Sequence, residues 1–147
     1  MSRFVILILL LAICGLAAGM TGCSPNINKY AEDGSFGVRL RDGVLTTTDD
    51  LYLGLTLKNL GSSAALYNFR ANLLGSGGEY EARSIEFAAT VRPKGQVSWD
   101  LWFRNLDDKN FPLDTEVTLA VFADDTAGNN FEVEFTLDSL RELSSPG

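Results

Sequence analysis

The chain encodes an all-β domain, an antiparallel β-sandwich of seven to eight strands set behind an N-terminal signal peptide. Three observations carry this expectation. Apolar residues recur with a period of two along most of the chain from Phe36 to Leu137, the spacing that puts alternate side chains on one face of a sheet. Turn residues punctuate those runs at Asp42-Gly43, Asn59-Leu60-Gly61, residues 75–78 (GSGG), Arg92-Pro93-Lys94-Gly95 and residues 124–130. No connection between them is long enough for the crossover helix that parallel neighbours need. A closed barrel satisfies the same pattern and is the alternative architecture.

Residues 1–22 read as a cleaved signal. Arg3 precedes an apolar run from Phe4 to Met20, and Gly15, Ala17, Ala18 and Gly19 weaken its second half as a permanent span. The run also sits at the short end of the ~17–25 residues that cross a bilayer. Met20-Thr21-Gly22-Cys23 resembles the lipobox of bacterial lipoprotein signal peptides. That resemblance implies cleavage after Gly22 and acylation of Cys23, a lipid anchor in the cell membrane or the outer membrane. The other cysteine, Cys14, leaves with the signal, so the mature domain has no disulfide and is held by its core. Residues 23–35 follow as a lipidated cysteine and a polar tether without periodicity.

The sandwich domain spans residues 36–137. FGVRLR and VLTTT bracket Asp42-Gly43, a hairpin or bend signal. In LYLGLTLK, Leu51, Leu53, Leu55 and Leu57 share one face. ALYNFRANLL and EYEA flank the GSGG hairpin, and IEFAATV runs into the Pro-Lys-Gly turn. QVSWDLWF then places Val97, Trp99, Leu101 and Phe103 on one face and Ser98, Asp100, Trp102 and Arg104 on the other. TEVTLAVFA and FEVEFTL close the domain, with Phe122 out of phase with Val117, Leu119 and Val121. Residues 138–147 read as a flexible tail, with one frayed turn in DSLREL.

The combination of LTLKNLG, a Gly-rich turn and RPKGQVSWDLWF resembles the telokin-like, immunoglobulin-fold domains of bacterial surface lipoproteins. The likeness covers roughly residues 36–137 and departs from the common form at Lys94, inserted between Pro93 and Gly95. It implies an immunoglobulin-like sandwich and no particular activity, since that fold hosts adhesion, inhibition and scaffolding alike.

Histidine is absent from the chain, which removes the commonest general base, the common zinc sites and any Ser-His pair. GSGG lies between strands rather than before a helix, so it is a hairpin and not a phosphate loop. A net charge of −7 argues against nucleic acid and anionic lipid surfaces. No enzyme and no cofactor are expected. A carboxylate-pair hydrolase is a distant third reading.

The expected work is therefore binding or scaffolding of an envelope protein partner. Trp102, Phe122 and Tyr52 are the candidate residues, an exposed aromatic patch if their strands are neighbours. The alternative is a calcium- or small-ligand-binding module built from Asp49, Asp50, Asp107 and Asp108, whose loops fall at one end of the sandwich. The doublet Asp124-Asp125 falls at the other end.

Overall fold

Among the described residues nine strands build two sheets whose inner faces meet, most of them by alternation of apolar side chains. A computed structural model describes residues 26–144. Cys23 and the lipobox-like residues 20–23 lie outside the described residues. The strands are β1 (Asn26–Asp33), β2 (Phe36–Leu45), β3 (Leu51–Asn59), β4 (Ala65–Gly75), β5 (Tyr80–Arg83), β6 (Phe87–Val91), β7 (Gln96–Phe103), β8 (Val117–Asp125) and β9 (Asn130–Leu137). One sheet runs β1-β2-β3-β7. In the other, β8 lies between β4 and β9, while β5 and β6 pair successive halves of β4. Every pairing is antiparallel. The expected antiparallel sandwich is the observed fold.

The core follows the alternation. Leu51, Leu53, Leu55 and Leu57 of β3 and Leu101 and Phe103 of β7 are buried against Phe69, Leu73, Leu119 and Val121 of the facing sheet. Aromatic rings connect the two sheets: Phe36 meets Tyr67 and Phe69, and Phe87 stacks on Trp99 with centroids 5.8 Å apart. Each such buried side chain contributes roughly 1.5–3 kcal/mol.

Three expectations are corrected. Residues 26–33 are a strand and not a tether: Gly34, at φ 55°, turns β1 back onto β2, with Asp33 opposite Phe36. Asp42-Gly43 makes no hairpin. It continues β2 through a bulge at Arg41, and the chain reverses at residues 46–50, where Asp49 adopts φ 56°. The C-terminal segment is tied down, because Leu140–Leu143 forms a 3₁₀ turn with Leu140 and Leu143 buried. Ser139 caps that turn, Arg141 N–H donates to Leu113 O at 3.0 Å, and Ser144 bridges to Leu45. Among the described residues no helix is long and apolar enough to cross a membrane.

The two open sides of the sandwich differ. On one, β1 side chains close the free edge of β9: the Asp33 carboxylate accepts from Glu132 N–H at 2.9 Å, and Lys29 Nζ donates to Thr136 O. On the other, β7 faces the β5–β6 edge. There Ser84 interrupts the strand, its amide donating to Ala71 O and its hydroxyl accepting from Ala71 N–H, both at 2.8 Å. That interruption turns Ile85 out into solvent, where it is 88% exposed.

Candidate partner-binding face

The outer face of the first sheet carries a cluster centred on two aromatic rings. Tyr52 of β3 is directly opposite Trp102 of β7, with centroids 5.1 Å apart. Their closeness follows from the ladder. Asn59 N–H donates to Gly95 O, so Asn59–Gly95 and every second pair along β3–β7 is hydrogen-bonded, while Tyr52–Trp102 falls between them. Side chains of such non-hydrogen-bonded pairs approach most closely. The Tyr52 hydroxyl donates to Asp100 Oδ1 at 3.0 Å, and Arg41 Nη2 lies 3.8 Å from the same oxygen. Burial, and next the hydrogen bond to Asp100, hold the Tyr52 phenol above its ordinary value. Arg104 lies over the Trp102 ring, 5.6 Å from its centroid.

Gly54 makes room within this face. A side chain there would collide with the Asp42 carboxylate, which the β2 bulge lays across the strand. The bulge thus places Arg41 and Asp42 beside the aromatic pair.

Below Trp102 the face turns the corner into a groove of about 370 Å³ between the sheet edges. Arg83, Ile85, Trp99, Trp102, Arg104 and Lys109 line most of it. The ladder also fixes which backbone groups of β7 point there. Residues 97, 99, 101 and 103 exchange hydrogen bonds with β3, so the amides and carbonyls of Gln96, Ser98, Asp100 and Trp102 point away from the sheet. Among the described strands β7 pairs with β3 alone, so it is an edge strand.

Of the candidate aromatic residues, the structure brings together Tyr52 and Trp102. Trp102 is 44% exposed. It places Phe122 elsewhere: β8 belongs to the other sheet, and Phe122 sits on that sheet's outer face under Arg70, 4.7 Å away. Phase alone put Phe122 outside the core but did not say which sheet carried it.

The acidic loops meet as expected at one end. Leu106 N–H donates to Asp49 O at 3.0 Å, and Asn105 N–H donates to Asp50 Oδ1 at 2.8 Å. Their carboxylates already serve the protein: Asp50 holds the Asn105 loop, and Asp49 lies 3.6 Å from Arg141 Nη1. Asp107 opens a short 3₁₀ turn, and the Asp108 side chain lies outside the described set. Asp124 sits at the opposite end, paired with Arg70. No group of three or more acidic, His or Cys residues among the described residues is arranged to hold a metal ion.

Ile85, Arg83, Arg104 and Lys109 were not legible as site residues. Ile85 keeps phase with Phe87, Ala89 and Val91, so alternation assigns it to the core. Only the Ser84 hydrogen bonds, invisible in the sequence, turn it outward.

No family model matches the chain, and no curated protein matches it. Among solved structures it is similar to a FixG-related protein from Vibrio parahaemolyticus, at TM-score 0.48 and 14% identity over 77% of this chain and 98% of that one. It is similar to red sea bream transglutaminase at TM-score 0.49 and 12% identity, over 84% of this chain but 17% of the enzyme. A β-glucosidase from Streptomyces venezuelae gives TM-score 0.43 and 12% identity, over 79% of this chain and 16% of that one.

Proposed function

We propose that this chain is a non-enzymatic cell-envelope lipoprotein, anchored through Cys23, whose β-sandwich holds an envelope protein partner against the Tyr52–Trp102 face. The observation that carries the reading is the Tyr52–Trp102 aromatic pair, its tryptophan exposed on the edge strand β7. Exposed Trp and Tyr supply large contact area at small entropic cost, and they dominate interface energies. The lack of histidine and the protein-bound roles of Asp49 and Asp50 favour binding over catalysis.

Photo-crosslinking in the native cells tests this, with the probe at position 102 and a control probe at position 136 on β9. A discrete adduct from 102 alone is expected. Equal labelling from both positions, or none from 102 in a folded protein, overturns the reading. Palmitate labelling of the parent but not of Cys23→Ser checks the anchor.

A further inference from the structure

We propose that β7 is a docking edge, taking an extended acidic-and-apolar segment of the partner protein as an added strand. This rests on the partner-binding reading above and names what the partner presents.

The first reason is the contrast between the two sides of the sandwich. Unpaired strand edges invite pairing with other chains, and proteins normally blunt them. This protein does so at β9, where Asp33 and Lys29 occupy the outward backbone groups of Glu132 and Thr136. At β7 none of the described strands covers the outward groups of Gln96, Ser98, Asp100 and Trp102. An added strand of about six residues, at about 3.3 Å per residue, satisfies them.

The second reason is chemical. Beside the edge, Ile85 and Trp102 offer apolar surface to alternate side chains of the incoming strand. Around them stand Arg83, Arg104 and Lys109, with Arg92 exposed at the far end of the strand. Arg83 is paired with Glu81 at 2.8 Å, and the one carboxylate in the lining, Asp100, is held by the Tyr52 hydroxyl and Arg41. The chain as a whole carries −7, whereas the groove lining carries three cations to one carboxylate. At physiological salt such charges act over only ~8 Å, which makes them selective for a segment lying in the edge itself. That charge also disfavours a second copy. Antiparallel pairing of two β7 strands brings Arg104 and Lys109 of one copy toward Arg92 of the other.

The test keeps Tyr52 and Trp102 intact and places the photo-crosslinker at position 85 in the full-length, membrane-anchored protein. Three variants accompany it. Ser98→Pro removes an outward amide without touching the ladder to β3, and Ser98→Ala keeps that amide. Arg104→Glu with Lys109→Glu reverses the charge and keeps the inference open to refutation if the proline variant fails to fold. Expected is an adduct whose crosslinked peptide is rich in Asp or Glu among apolar residues, retained in Ser98→Ala. Its yield should fall ~10-fold or more in the folded proline and charge-reversed variants. An adduct unchanged by these substitutions, one mapped to a Lys- or Arg-rich segment, or one to a second copy overturns strand addition. So does an adduct from 102 with none from 85. In these cases a specific contact of another protein at 102 leaves the partner-binding reading standing; no adduct from either position refutes both.

Discussion

Tyr52 and Trp102 stand opposite one another on β3 and β7 with their rings 5.1 Å apart, and the Tyr52 hydroxyl is spent on Asp100 of the neighbouring strand. The hydroxyl bond thus fixes the tyrosine, while Trp102, with Arg104 over its ring, stays 44% exposed. Three residues earlier on the same strand, Trp99 is 9% exposed and stacks on Phe87. One strand therefore carries a structural and an exposed tryptophan.

That difference predicts how each residue responds to truncation. Trp102→Ala loses an exposed cross-strand aromatic contact and should cost about 1 kcal/mol or less. Trp99→Ala opens a cavity and should cost about 3–5 kcal/mol. Urea denaturation of both variants measures the comparison. Equal losses would show that Trp102 is structural and would remove the main support for the binding face.

The C-terminal 3₁₀ turn should behave as part of the core. Leu140 is fully buried, and its turn is held by Ser139 and Leu113 as well as by the bridge to Leu45. Leu140→Ala should cost about 2–5 kcal/mol by the same cavity argument. A chain ending at residue 138 should unfold at markedly lower denaturant than the parent. Stability unchanged by that truncation would return these residues to the status of a tail.

How much of this was legible depends on where the stabilising atoms lie. Strands buried on one face announce themselves by period: β7 was readable to the residue, including the opposed fates of Trp99 and Trp102. β3 runs one residue further than its LYLGLTLK pattern, through Asn59, and buries Gly54 and Thr56 as well as its leucines. β1 was not, because only Ile27 and Ala31 of NINKYAED are partly buried and the strand is held by backbone pairing. The Asp33-Gly34 hairpin signal was present, yet no apolar alternation preceded it to mark a strand. Leu140 and Leu143, spaced three apart behind a capping serine, fit a 3₁₀ turn. That signal is too short to distinguish from fraying without knowing that Leu113 waits opposite. The Tyr52–Trp102 pairing required the register of β3 on β7, and the groove required the Ser84 interruption. Both depend on contacts distant in sequence.

The closed edge of β9 can be opened deliberately. Asp33→Ala with Lys29→Ala removes both side chains that occupy outward groups of that strand. Amide exchange at Glu132 should then accelerate, while Val133, bonded inward to β8, should stay protected. Hydrogen exchange resolved by NMR reads both residues in one experiment. Unchanged exchange at Glu132 would mean that the Asp33 contact does not guard the edge, and the contrast between the two sides would lose its footing.

The β8–β9 turn supplies a pH dependence. Hydrogen bonds from the Asn129 side chain and backbone, joined by those from Ala127 and Gly128, hold the Asp125 carboxyl below its ordinary value of 3.8. A carboxyl depressed in the folded state binds its proton more readily once unfolded, so folding is favoured wherever it is ionised. That contribution is complete above the ordinary value. It fades as pH falls below 3.8 and is gone once the folded carboxyl is itself protonated. Asp125→Asn keeps the size of the side chain and removes the ionisation. Its thermal unfolding should therefore lie below that of the parent at neutral pH, with the difference shrinking as the solution is acidified through this range. A gap between the two proteins that holds constant from neutral to strongly acidic pH would show that the charge on Asp125 contributes nothing to the turn.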